Sequence, residues 1–232
     1  MKTSLIIPFR DEAAYAEKTI KAAHAYLSER HMEFELIAID DSTDGTYGIL
    51  QSLAGSFPNI VVAKGEYPPG YGKALRKGFD LATGEIVVPF NGDLSDSLDD
   101  LLSYIRLIEA GYDMVFGSRF MVGATVTGQG AIKGLISRLG NGFLQWLFRA
   151  DCSDITNSFK AYGSAVLEVI EPTANGYEIG MEIALKGILG EYRYTTIPIS
   201  WSGRKHGRSK MSIMKSIPTY LNTAVRIRFS YS

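Results

Sequence analysis

Four times in the first half of the chain a short apolar run gives way to a stretch of helical spacing, and a fifth run follows at Met114–Phe116. The runs are Ser4–Pro8, Phe34–Ile39, Ile60–Ala63 and Ile86–Val88, each ending in a polar or glycine-rich turn. Runs this short and this apolar read as strands buried on both faces. The alternation predicts an α/β fold with a mostly parallel sheet and helices on both sides. Ligands of such sheets bind beyond the carboxyl ends of the strands. The turns are therefore where chemistry belongs.

Those turns carry the right groups. The first run leads into Arg10-Asp11-Glu12, with Asp11 expected as N-cap of a helix carrying Ala16, Ile20, Ala23 and Leu27. The second ends in Asp40-Asp41-Ser42-Thr43-Asp44-Gly45-Thr46, whose carboxylates suit either a helix cap or a ligand. After the third comes PPGYGKALRKGFDLATG, in which Lys73 and Arg76 open a helix, a ready anion site. The fourth stops at Pro89, placed at the strand's end because proline cannot donate to a ladder. It is followed by Asn91-Gly92-Asp93-Leu94-Ser95-Asp96. Oxygen ligands at that spacing can hold a hard divalent ion, although Asn, Gly and Asp are also the commonest turn residues. Next is a helix capped by Ser97, with Asp99 and Asp100 in its first turn and Gly111 at its end.

The second half is less regular. Ala131–Phe148 reads as a helix with Lys133, Ser137, Arg138 and Asn141 at near-helical intervals, and Tyr177–Leu189 as another, with Glu178 and Glu182 one turn apart. Asp154–Phe159 is expected to be a turn leading to a short strand, and Tyr192–Ser200 a single strand. No acidic residue follows Glu191, whereas eight Lys or Arg residues do, although the whole chain carries a net charge of only −1. A near-neutral chain gives no case for nucleic acid, while a one-sign tail suggests phosphates or a membrane surface. Within the tail Met214, Ile217, Leu221, Ala224 and Val225 fall on one helical face, and Pro218 either begins or kinks that helix. The single cysteine, Cys152, excludes an internal disulfide and points to a reducing compartment. No run is long enough to span a bilayer, so the expected attachment is none or peripheral.

In order along the chain, LIIPFRDE, IDDSTDGT, PGYGKALRKGFDLATG, FNGDLSD, GSRF and GRKHGRSK resemble the motifs of inverting family 2 glycosyltransferases of GT-A fold. Among these the pattern is most similar to the dolichyl- or polyprenyl-phosphate sugar transferases. The resemblance implies one catalytic domain over residues 1–200, with a nucleotide-binding half at 1–120 and an acceptor half at 121–200, followed by a basic loop and amphipathic helix at 201–232. It implies transfer of mannose or glucose from a nucleotide sugar, of the GDP-mannose or UDP-glucose class, to a polyprenyl or dolichyl phosphate at the cytoplasmic face of a membrane. Donor binding would fall to Pro8, Asp11, Glu12, Asp41, Asp44, Lys73, Asn91 and Asp93, with Mg²⁺ or Mn²⁺ on Asp93 and, weakly, on Asn91. The acceptor phosphate would meet Arg119, Lys133, Ser137, Arg204, Ser209 and Lys210, and the groups acting at the reacting centre would be Asp93, Arg119 and Arg204.

The chain departs from the family pattern in several places. Asn91 stands where the family has the first acid of Asp-x-Asp, Ser95 where close relatives carry Gln, and Lys133 where they carry Arg. Asp11 replaces the usual Asn, Arg10 a common aromatic, and IDDSTDGT is one residue short. Two other functions therefore stand beside the first. One is a soluble transferase with a hydroxyl acceptor and a general base such as Glu182 or Asp154. The other, prompted by Asn91, is a non-catalytic nucleotide-sugar-binding module.

Overall fold

The structure, a computed structural model, describes residues 1–203 and 213–230. The expected strands form as β1 (Thr3–Phe9), β2 (Phe34–Asp40), β3 (Ile60–Lys64), β4 (Ile86–Pro89) and β5 (Met114–Ser118). Between them lie α1 (Ala13–Ser28), α2 (Thr46–Ser56), α3 (Tyr71–Leu81) and α4 (Leu98–Glu109). After β5 come β6 (Thr125–Thr127), α5 (Ala131–Phe148), β7 (Lys160–Gly163), α6 (Ser164–Ile170), α7 (Ile179–Leu189), β8 (Tyr194–Pro198), β9 (Ser200–Ser202) and α8 (Ile213–Ser230). The main sheet has the order β3-β2-β1-β4-β7-β5-β8, and only β7 runs antiparallel to its neighbours.

Apolar runs make sense in these strands because both sheet faces are covered. Leu5, Ile7, Leu36, Ala38, Ile86 and Val88 point into one core with α1, α2 and α4. Ile6, Ile37, Ile39 and Val87 point into the other, with α3, α6, α7 and part of α8. Full burial of each large aliphatic side chain stabilises the fold by roughly 1.5–3 kcal/mol. On the second face Gly78 lets α3 lie directly on β1, since a Cβ there would stand 2.3 Å from Ile6 Cγ2.

The chain first builds outward from β1 to β2 and β3, then returns to place β4 on the other side of β1. That reversal makes a crevice above β1 and β4, the place where a sheet of this kind receives a ligand.

Three expectations change. The N-cap of α1 is Glu12, not Asp11, because Asp11 takes a left-handed backbone (φ 48°) one residue before it. Tyr192–Ser200 is divided between two sheets. β8 pairs with β5 as far as Ser118↔Pro198, where β5 ends, and the chain then crosses to pair β9 with β6. The second long helix of this half begins at Ile179 rather than Tyr177.

Pro218 lies inside α8. The face foreseen for this helix is split. Ala224 is buried together with Thr223 and Ile227, while Ile217, Leu221 and Val225 are exposed in line with Phe229. Met214 has no described side chain.

Candidate active site

The ends of β1 and β2 form a polar shelf. Asp11 Oδ1 accepts the N–H and hydroxyl of Thr43 at 2.9 and 3.1 Å, and Ser42 Oγ accepts the Asp11 N–H, so the two turns are stitched together. Asp44 accepts from Thr46 and from the Ala13 N–H at the start of α1. These bonds outweigh its slight burial and hold its carboxyl below the usual carboxylate range. Asp41 lies deeper, where burial pushes its carboxyl up despite a bond from the Gly70 N–H. A Cβ on Gly65 would fall 1.8 Å from Asp41 Oδ1, so glycine is required for that carboxylate to sit in its niche. Pro8 pairs across to Ile39 at the same end, and Lys73, at the start of α3, donates to the Pro68 carbonyl at 3.1 Å. The sequence-predicted donor residues outside the β4 turn thus gather on the shelf over β1, β2 and α3.

The turn after β4 stands beside this shelf. Asp93 is nearly buried, with Oδ1 accepting the Ser95 N–H at 3.1 Å. Asn91 donates its backbone N–H and its Nδ2 to Asp96 Oδ2, at 3.1 and 2.8 Å. Asp96 is only 5% exposed, and its other oxygen has no partner among the described residues. Burial, with Asp93 adding to it, pushes the Asp96 carboxyl up to about 7. Among the described residues no cluster of three acidic, His or Cys side chains forms a closed metal cage. Asn91 and Asp93 both line the cavity beside this turn.

Beyond the turn opens a cavity of about 480 Å³. Polar Asn91, Asp93, Ser95, Arg119, Lys133, Ser137 and Asn157 line part of it, so the sequence-predicted Asn91, Asp93, Arg119, Lys133 and Ser137 do come together. Apolar and aromatic side chains share the lining: Ile136, Phe143 and Leu144 from α5, Ile217, Tyr220 and Leu221 from α8, and Trp201 from β9. Arg119 is held by a two-pronged pair with Asp154, Nε to Oδ2 at 2.7 Å and Nη2 to Oδ1 at 2.9 Å. Asp154 also accepts the Arg119 N–H at 3.1 Å and is fully buried. Burial alone would make Arg119 a weaker base, and Asp154 more than offsets it. Glu182 is fully buried too. It accepts from Thr173, from the Ala174 N–H and from Lys186, and these bonds hold its carboxyl low. Arg204, Ser209 and Lys210 lie outside the described residues.

Sequence reasoning missed three supports. Lys160 is fully buried and donates to the carbonyls of Ile155 and Asn157, pinning the turn that carries Asp154. Asn141, read only as a helix residue, exchanges bonds with Thr156 in the same turn. Tyr177 lines the cavity and stacks on Tyr71 at 4.8 Å. A lysine following an apolar aromatic at a strand start is the one signal that could have marked the first.

Residues 4–170 match the model of the family described as Glycosyl transferase family 2. The chain belongs to that family. It is 29% identical over 218 residues to polyprenol monophosphomannose synthase of Mycolicibacterium smegmatis, covering 91% of this chain and 81% of that protein. It is 28% identical over 230 residues to dolichol-phosphate mannosyltransferase of Pyrococcus furiosus, covering 98% of this chain but only 64% of the relative. Glucosyl-3-phosphoglycerate synthase from Mycobacterium tuberculosis, solved with Mn²⁺, UDP-glucose and phosphoglyceric acid, superposes with a TM-score of 0.71. That match covers 98% of this chain and 80% of the synthase, at 18% identity. The architecture is thus the GT-A fold, and the family makes the chain a glycosyltransferase.

Proposed function

We propose that this glycosyltransferase moves a hexose, mannose or glucose, from a nucleotide sugar to a polyprenyl phosphate at a membrane surface. The observation that carries the reading is the mixed lining of the cavity. Charged and polar side chains share it with apolar ones, and α5 and α8, which supply many of the apolar ones, also carry exposed Ile132, Leu135, Leu139 and Trp146, and Leu221, Val225 and Phe229. An anionic head on an apolar chain has that same mixture. The names of the Mycolicibacterium and Pyrococcus relatives support the same acceptor class and favour mannose.

The donor would lie over the shelf of Pro8, Asp11, Glu12, Asp41, Asp44 and Lys73, with its diphosphate toward Asn91 and Asp93. Those two residues would hold Mg²⁺ or Mn²⁺, which when bound neutralises charge developing on the leaving diphosphate. The acceptor enters from the cavity. A phosphate oxygen forms a bond to the anomeric carbon as the bond from that carbon to the diphosphate breaks, and configuration inverts. A phosphate monoester loses its second proton near pH ~6, so at neutral pH it needs no general base. That fits the site, because Asp154 is committed to Arg119 and Glu182 to Thr173, Ala174 and Lys186. Arg119, Lys133 and Ser137, with Arg204, Ser209 and Lys210 from the basic loop, bring the acceptor's charge up to an anionic donor.

No helix among the described residues is long and apolar enough to cross a membrane. In the proposed setting the described domain sits peripherally at the cytoplasmic face, a reading supported by the exposed apolar residues of α5 and α8 and by the single thiol. The test is kinetic. Lys133→Met should raise the acceptor KM about tenfold while the nucleotide-sugar KM holds. Equal losses for both substrates would sink the assignment of the cavity to the acceptor.

A further inference from the structure

We infer that Asp96 is a positioning residue that makes Asn91 usable as an ion ligand. It rests on the reading of Asn91 and Asp93 as the ion-facing pair. A hard cation takes oxygen and rejects an amide nitrogen. A primary amide carries one of each, so Asn91 can serve only if something fixes which end faces the cavity.

Asp96 does this with two bonds to one oxygen. Its Oδ2 accepts the Asn91 backbone N–H at 3.1 Å and the Asn91 Nδ2 at 2.8 Å. An oxygen that already accepts the Asn91 backbone N–H acts as an acceptor toward the side chain too. Turning the amide over would set Asn91 Oδ1 against Asp96 Oδ2, oxygen on oxygen. The amide nitrogen therefore stays on Asp96, and the carbonyl end is turned away from it. Asn91 lines the cavity, whereas Asp96 lies behind it and is 5% exposed. The same carboxylate leaves Oδ1 without a partner among the described residues. Burying a carboxyl with one oxygen unbonded costs stability, and costs more when it is ionised. A positive ion on the far side of the amide offsets part of that cost. Negative charge one layer behind a neutral ligand also makes its oxygen a better donor. The acid missing at position 91 is thus supplied from position 96.

The test separates orientation from general electrostatics. Mn²⁺ affinity is measured by electron paramagnetic resonance with a saturating nucleoside diphosphate, on protein checked by thermal unfolding. The proteins are the wild type, Asp96→Asn, Asn91→Asp, Asn91→Asp with Asp96→Asn, and Asp93→Ala. Asp96→Asn should weaken Mn²⁺ at least tenfold, the range expected for loss of a group behind a ligand. In the Asn91→Asp background the same change should cost less than threefold, because a carboxylate presents oxygen whichever way it turns. The double variant exchanges acid and amide, so the side-chain contact re-forms with donor and acceptor reversed at the expense of the bond from the backbone N–H of residue 91. An equal loss in both backgrounds overturns the orienting role, as does an unchanged affinity in folded Asp96→Asn. If the wild type binds no Mn²⁺, or Asp93→Ala binds it equally well, the ion-site reading itself falls and takes this inference with it.

Discussion

Asp154→Asn decides between an acceptor that brings its own charge and one that needs a base. The substitution keeps shape and volume, so no cavity is made. It replaces one oxygen with an NH₂ in a site where Arg119 presents donors at 2.7, 2.9 and 3.1 Å. Whichever way the amide turns, one N–H of Arg119 meets another N–H. The pair is shielded, with the side chains 15% and 0% exposed. Breaking a buried pair by altering one partner costs about 3–5 kcal/mol. Domains are stable by only ~5–15 kcal/mol, so the loss is large. Urea unfolding should show it directly, with an unchanged m-value. Transfer measured on the folded fraction should persist with a raised acceptor KM, since Arg119 is loosened. A change in stability under about 1 kcal/mol, together with complete loss of kcat at unchanged KM values, would refute this reasoning and make Asp154 a general base.

Other expectations follow from the same structure. Glu182→Gln should lower the melting temperature, because a carboxylate with several donors is replaced by a group that accepts at only one atom, yet leave kcat per folded molecule nearly intact. Loss of transfer without loss of stability would mark Glu182 as catalytic. Lys160 holds its proton less tightly folded, at about 8, because burial outweighs the help of Cys152 and Asp154, with Arg119 opposing. Below pH 8 both states are protonated and the burial cost is complete. Between there and the usual lysine value near ~10.4 the unfolded chain holds the extra proton, so stability should rise with pH by up to about 3 kcal/mol. Burial pushes the Cys152 thiol up, which works in the opposite direction, so the curves are compared in a Cys152→Ala background with and without Lys160→Met. A curve equally steep in both would exclude Lys160 as its source. Leu139→Glu with Val225→Glu, both on exposed positions, should leave folding unchanged but abolish flotation with anionic vesicles at low salt. Flotation equal to wild type would clear α5 and α8 of membrane contact.

Much of this was legible because the strands are apolar throughout and the motifs sit where those strands end. A run such as Ile86-Val87-Val88 between glycine and a polar turn reads as a strand covered on both sides, which it is, and the polar residues after it lie at one end of the sheet. What escaped depends on partners far away in sequence. Arg119 and Asp154 are 35 residues apart, and nothing local to either announces the pair. Asp11 looked like a cap, but its carboxylate is taken by Thr43 from the next turn, which leaves Glu12 in the capping position. The break between β8 and β9 is set by the length of β5, a property of another segment. α8 has apolar residues on two faces, and packing against α7 and α5 decided which face was buried.

The central claim is tested most directly by acceptor choice. The protein, with vesicles, Mn²⁺ and labelled GDP-mannose or UDP-glucose, is offered a short-chain polyprenyl phosphate, the parent polyprenol, or 3-phosphoglycerate. Product formation is then followed by mass. The mixed lining of the cavity calls for transfer to the lipid phosphate alone, because the alcohol lacks the charge for its polar side chains and the phosphoglycerate lacks the chain for its apolar ones. Equal or faster transfer to the alcohol or to 3-phosphoglycerate would contradict the proposed function.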